Sequence, residues 1–317
     1  MALPVYASPL EKLWHYTYLV LCALILLFLI APIIIVIPLS FNAEPYVSFT
    51  EKMMTLDPAG YSLRWYDSLI TFGMQNPEAP RDIAFWWDFW ENATWVQVTK
   101  HSVIIGVFAT LISAGLGTVA ALGLTRPEMP WRKQITAVLI SPMIVPIIIS
   151  ATGMFFFYSG QWVPGIDAQG RFEWGRLAGT YPGIILAHAA LGIPFVIITV
   201  TATLSGFDQS LVRAAASLGA NPRTAFFRVQ MPLIMPGVVS GGLFAFVTSF
   251  DEVVALLFIA ANDQQTIPRQ MWNGIREQIS PAILAVATLL VIISVALLTV
   301  VELLRRRSER LRGLSPA

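Results

Sequence analysis

Two adjacent carboxylates, Asp251 and Glu252, stand in an apolar segment running from Val238 to Ala261. An ionised side chain at mid-membrane costs about 2.5–3.5 kcal/mol on insertion scales, so an undirected pair is disfavoured there. Carboxylates so placed do one of two things. They attract a cation in transit, ammonium groups being the natural ligand, or they form a polar cluster or gate contact at a subunit interface. On a single helix, adjacent positions point about 100° apart, so one acid faces a pathway while the other pairs within the bundle. Phe250 and Trp272 offer rings that suit an alkylammonium chain, with ordinary packing as the alternative for both.

A second stretch, from Asp208 to Gly237, has the composition of two short helices separated by a break. Asp208 is placed to cap the first, and Ala214, Ala215 and Ala216 make Leu211 to Leu218 strongly helix-forming. Gly219 suits the position just past a helix end, and Pro222 the first turn of the next helix. Phe226, Phe227 and Val229 give that helix an apolar side, and Pro232 and Pro236 are expected to stop it. Small residues beside aromatics fit a groove on a partner protein. Arg213, Arg223 and Arg228 suit the other reading, an amphipathic loop on the inner membrane surface.

Other chemistry has little support. His15, His101 and His188 are scattered without ligand spacing, and the single cysteine, Cys22, reads as a small apolar packing residue that allows no intrachain disulfide. No nucleophile–base arrangement is evident, so neither a metal site nor an intramembrane catalytic site is expected. The phosphate-cradling Gly-x-x-x-x-Gly-Lys-Ser/Thr loop is absent, which assigns no ATP hydrolysis to this chain.

The elements that must position these residues are membrane helices. The chain of 317 residues is 56% hydrophobic and only 12% charged, with a mean hydropathy of +0.67. Six segments are long enough to cross a bilayer: about 16–39, 102–124, 135–158, 182–204, 234–261 and 282–304. Pro32, Pro142, Pro146 and Pro194 interrupt them, as kinks around a pathway or as ordinary bundle kinks. Lys12, Arg126, Arg132, Lys133, Arg213, Arg223, Arg228 and the arginines from Arg305 to Arg312 fall on one side, which predicts both termini inside. The expectation is an all-α polytopic membrane protein, one domain over 1–317, with a long outer segment at 41–100 and an inner loop at 205–237. Within the outer segment, Phe85, Trp86, Trp87, Phe89, Trp90 and Trp95 predict an aromatic helix over 84–95. It is read as interfacial, as a docking or lid element, or as a cation–π surface.

The inner loop closely resembles the cytoplasmic loop of type I ABC-importer permeases. That family carries Glu-Ala-Ala, three residues, Gly, and about nine residues to a hydrophobic-x-Leu-Pro end. Ala214, Ala215, Gly219 and Pro232 match it, with Ala220, Pro222 and Phe226 as further matches, whereas Arg213 replaces the family Glu. Any salt bridge of that Glu to an ATPase is therefore not carried over, and Asp208 is a partial substitute at most. The elements Tyr61–Asp67, Ser249–Val254, Thr266–Trp272 and Ile279–Pro281 look like the second permease of spermidine/putrescine importers. The resemblance implies a non-catalytic subunit that docks its ATPases through Asp208, Arg213, Ala214, Ala215, Gly219, Ala220, Pro222, Phe226 and Pro232. It implies a different permease chain, two ATPase subunits holding ATP and Mg, a periplasmic binding protein and the lipid bilayer as partners, with no nucleic acid. The substrate implied is a polyamine, with another small amine, an opine or an amino-acid derivative as alternatives, and the location a bacterial inner membrane. A stand-alone secondary transporter would show two inverted halves, and no such repeat joins 1–160 to 161–317.

Overall fold

The expected apolar runs become helices, in a computed structural model that describes residues 8–126, 128–161, 163–166, 172–208, 210–277 and 281–311. In chain order, α1 is Pro9–Leu39, α2 Glu51–Met54, α3 Arg64–Thr71 (after a 3₁₀ turn at Pro58–Gly60), and α4 Ile83–Asn92. Next come α5 Thr94–Leu124, α6 Arg132–Ile144, α7 Ile147–Tyr158, a short antiparallel hairpin of β1 Val163–Ile166 and β2 Phe172–Gly175, and α8 Tyr181–Ser205. Then follow α9 Ser210–Ser217, α10 Pro222–Ala225, a π turn at Phe226–Gln230, α11 Met231–Phe250, α12 Val254–Ile259, α13 Ile267–Glu277 and α14 Pro281–Leu311. The hairpin is a small addition to an otherwise helical chain. The contacts divide the molecule into two units, Met1–Phe89 with Gly274–Ala317, and Trp90–Asn273.

Among the described residues, four helical stretches are long and apolar enough to span a membrane: α1, α5, α8 and the continuous run Pro222–Phe250. The α6 and α7 pair passes the same test as one broken span, bent by 104°. The sixth expected span corresponds to α14, whose apolar described part is Pro281–Ala296. Of the four span prolines, only Pro146 stands at a break, where Val145 before it is extended and Pro146 itself caps α7; Pro32, Pro142 and Pro194 lie inside helices.

In the first unit, α1 packs against α14, and α14 against α3. A capping box starts α1 before the apolar run begins: Glu11 N–H donates to Ser8 Oγ, and Ser8 N–H to Glu11 Oε2 at 2.8 Å. Cys22 on this helix is exposed, so it does not have the packing role expected within the chain. The Leu-Arg-Trp-Tyr element closes the end of α1. Trp65 Nε1–H donates to the Asn42 carbonyl at 2.8 Å, Tyr66 and Ser40 share a hydroxyl bond at 2.7 Å, and Arg64 lies over the Trp65 ring. The aromatic segment is shorter than expected: α4 ends at Asn92, and Trp95 belongs to the first turn of α5. Phe85 is buried, Trp86, Trp87 and Trp90 are exposed, and Asp88 accepts from the Gln75 and Asn76 amides.

The second unit is built on α5, α8 and α11, which pack on one another. Small residues allow this, as lipid gives no hydrophobic drive for helices to associate. A methyl group placed on Gly192 of α8 would lie 2.7 Å from Ser113 Oγ of α5 and 2.8 Å from Ala245 Cβ of α11. One on Gly241 of α11 would lie 2.7 Å from the Val196 Cα of α8. A hydrogen bond adds to the seam, from Ser113 Oγ to the Ala189 carbonyl at 3.0 Å.

Candidate docking loop and pathway carboxylates

The loop after α8 is held by its own backbone chemistry. Asp208 accepts from the Ser210 amide at 2.8 Å and from the Ser210 hydroxyl at 2.6 Å, and starts α9. These bonds, with Arg213 nearby, hold the Asp208 carboxyl below its ordinary range. That engagement leaves Asp208 as a helix cap in this structure. The helix ends in a Schellman motif: Ala220 N–H donates to the Ala215 carbonyl at 3.0 Å and Gly219 N–H to the Ala216 carbonyl at 2.9 Å. The motif needs a left-handed residue, and Gly219 supplies it at φ +87°. Asn221 then caps α10 through the Thr224 amide at 2.8 Å, with Pro222 in the first turn.

The second short helix does not stop where the prolines suggested. Pro232 lies in the first turn of α11 and Pro236 inside it, so Pro222–Phe250 is one helical run of 29 residues. The π turn Phe226–Gln230 stands just before Pro232, where the run meets a residue that lacks an amide donor. Packing joins α9 to α10 and to the π turn. The outward side carries Leu211, Leu218 at 89% exposure, and Phe227, whose ring meets Phe226 edge-on. Arg213, Ala214, Gly219, Pro222 and Pro232 are exposed, and Ala215, Ala220 and Phe226 are half-buried. The site residues expected in this loop therefore form one continuous local structure.

The other end of the same run departs from expectation. Asp251 and Glu252 are not inside a helix; α11 ends at Phe250, Asp251 is its C-terminal cap, and α12 starts only at Val254. The two acids nevertheless have separate environments. Asp251 is exposed, whereas Glu252 is 8% exposed and its Oε1 accepts the Ala255 amide at 2.8 Å, satisfying the start of α12. Phe250 stacks on Phe246, with ring centroids 5.6 Å apart. Trp272 is 45% exposed on α13, and among the described residues no hydrogen bond or ring contact joins it to Asp251, Glu252 or Phe250. One residue overlooked in the sequence lies beside this break. His188 is buried in α8, and its Nδ1 pairs with Ser249 Oγ at 2.8 Å. Its isolation among apolar residues was a signal of a buried polar contact.

Residues 113–312, which include the loop and the break, match the family described as binding-protein-dependent transport system inner membrane component. The chain belongs to that family. It is similar to the spermidine/putrescine transport system permease protein PotC of Haemophilus influenzae, 27% identical over 89% of this chain and 93% of that protein. It is also similar to the putrescine transport system permease protein PotI of Escherichia coli, 28% identical over 91% and 88%. Among solved structures, a chain of a bacterial ABC transporter that imports the acidic polysaccharide alginate matches at a TM-score of 0.64. That match covers 94% of this chain and 99% of the other at 15% identity. A chain of the MetNI methionine ABC transporter matches at 0.51, covering 72% and 98% at 16% identity. These likenesses give the fold, an all-α type I ABC-importer permease. As a member of its family the chain is a multi-pass transport component of a membrane.

Proposed function

We propose that this permease carries a polyamine of the spermidine/putrescine class across the bacterial inner membrane, driven by ATP hydrolysis on partner chains. The observation that carries the mechanism is the helical run Pro222–Phe250, with an exposed loop at one end and Asp251 and Glu252 at the other. At about 1.5 Å per residue this run is about 43 Å long, enough to cross a bilayer. The substrate class is supported by the two relatives named for polyamine transport, which align with about nine-tenths of the chain.

In this account the loop 205–237 is cytoplasmic, as are both termini. It seats on one of two ATPase subunits, which hold ATP and Mg, while a second, different permease completes the pathway. Leu211, Leu218 and Phe227 supply the apolar contact, and Ala214, Ala215, Gly219 and Ala220 let the partner approach closely. Arg213 stands where the family has Glu, so the dock relies on shape and apolar contact more than on that acid. ATP draws the ATPases together, and the run conveys that displacement to the break beyond Phe250. Coupling needs ATP to bind the two states with different affinity, and the rod supplies the link. A periplasmic binding protein delivers the substrate. Asp251, exposed at the break, attracts its ammonium groups in transit, with Phe250 and Trp272 beside the path. Glu252 holds the geometry of α12.

Two measurements test this reading. The cognate binding protein should bind spermidine or putrescine in preference to opines and amino-acid derivatives; the reverse preference overturns the polyamine assignment. In reconstituted vesicles, Asp251→Asn should lower uptake at least tenfold while the complex still assembles, as befits loss of a charge-assisted contact. Unchanged uptake by that variant removes Asp251 from the pathway.

A further inference from the structure

Deep in the second unit, His188 is 1% exposed on α8, a helix otherwise made almost entirely of apolar and hydroxyl side chains. Its Nδ1 lies 2.8 Å from Ser249 Oγ, and among the described residues its buried Nε2 has no hydrogen-bond partner. A ring kept for packing alone would be better replaced by an apolar one, because an unpaired buried nitrogen is costly. Ser249, like Ser113 on α5, is a hydroxyl that joins two helices. On α8, Thr199, Thr203 and Ser205 each turn their hydroxyl back to a carbonyl of their own helix. Ser249 instead bonds across to the neighbouring helix.

The position of this bond matters. Ser249 is the penultimate residue of α11, immediately before the segment that displays Asp251. On the far side of that segment, Ala255, Leu256 and Ile259 of α12 pack into one cluster with Ile184, Ala187 and Leu191 of α8. Positions 184, 187, 188 and 191 recur at helical spacing and therefore share one face. One face of α8 thus holds both sides of the break, by a polar pin on α11 and an apolar seat for α12. Residues 250–253 hang between these two anchors, and Glu252 closes the span by bonding the Ala255 amide.

We propose that His188 is a positioning residue for transport. Through Nδ1 and Ser249 it fixes the end of α11 and so the direction in which Asp251 is presented. The proposal rests on the reading of Asp251 as a pathway acid. The imidazole touches no substrate in this account.

The test separates the two ring nitrogens in the assembled complex in proteoliposomes, with uptake measured against the concentration of loaded binding protein. His188→Asn keeps a polar atom near Nδ1 and removes Nε2; His188→Gln places one near Nε2; Ser249→Ala removes the partner. Loss of the pin should lower maximal uptake by about fivefold to tenfold in His188→Gln, His188→Ala and Ser249→Ala, with KM for the binding protein little changed. His188→Asn should stay within about twofold of the parent, and the double variant His188→Ala with Ser249→Ala should be no worse than His188→Ala alone. Rescue by Gln but not Asn, additive losses, or full uptake by Ser249→Ala would overturn the proposal. If the histidine variants fail to assemble, Ser249→Ala decides alone: lowered maximal uptake by an assembled complex supports the pin, and normal uptake refutes it. Asp251→Asn measured alongside keeps the failures apart. Normal uptake by that variant sinks the pathway reading itself, whereas its loss beside a fully active Ser249→Ala sinks only the role of His188.

Discussion

The helical run from Pro222 to Phe250 is bounded by two regions that are stabilised in different ways. At its start, the loop carrying α9 and α10 is held by bonds between residues close in sequence: Ser210 to Asp208, Ala220 to Ala215, Gly219 to Ala216 and Thr224 to Asn221. At its end, the break at 251–253 has one local bond, Ala255 N–H to Glu252, and is otherwise held by residues far apart in sequence, with His188 bonded to Ser249 and α12 packed on α8 and α7. The first region takes its shape from its own local bonds and exposes its surface, which suits a dock. The second takes its shape from neighbouring helices, which suits a point that must change when those helices move. A lever works in this manner, with a stiff handle at one end and a deformable contact at the other.

The largest expected effect comes from separating the run from its neighbours. Gly241→Leu forces a whole side chain against the Val196 backbone, 2.7 Å from where even a methyl group would sit, and its overpacking is expected to exceed the usual few kcal/mol and part the helices. Loss of assembled complex on size-exclusion chromatography checks it; an assembled, fully active variant would break the rod account. Next is Leu243→Pro, in the exposed middle of α11, where the missing donor and ring clash cost about 3 kcal/mol in a helix interior. A complex that still assembles should hydrolyse ATP with uptake reduced far more than hydrolysis, and equal reductions would contradict the lever. Gly219→Ala follows. Among the described residues nothing lies within 4 Å of an added methyl group, so the cost is conformational, about 1 kcal/mol for a left-handed residue. A modest fall in coupling to the ATPase, with assembly retained, is expected in a coupled ATPase assay. The smallest effect belongs to Asp208→Ala, which removes an exposed cap. Because its bonds hold the Asp208 carboxyl low, the cap persists at neutral pH and is lost only as acid protonates that group. A drop in coupled ATPase at low pH in the parent, absent in Asp208→Ala, is the measurement.

The same contrast explains what could be read from residues alone. Three alanines, a glycine three residues further on and an Asn-Pro pair encode helix, left-handed stop and new start locally, so the loop was legible down to Gly219. The break was not. Val253 to Ile259 is as apolar as the helix before it and reads as its continuation; only the Glu252 bond to Ala255 and the seat on α8 divide the two. Pro232 and Pro236 misled in the opposite direction: Pro232 falls in the first turn of α11 just after the π turn, and Pro236 lies inside the helix without ending it. The separation of Asp251 from Glu252 into exposed and buried roles was anticipated, but from helical spacing that does not apply there. His188 passed as an isolated histidine because its partner lies 61 positions away.

The most direct test of the lever follows a thiol at the far end while nucleotide acts at the near end. With Cys22, the only native cysteine, changed to serine, Asp251→Cys reports on the break through its rate of reaction with a membrane-impermeant maleimide. In the complex with its ATPases, addition of a non-hydrolysable ATP analogue should change that rate severalfold, and Leu243→Pro should abolish the change. An identical rate with and without nucleotide would contradict the account.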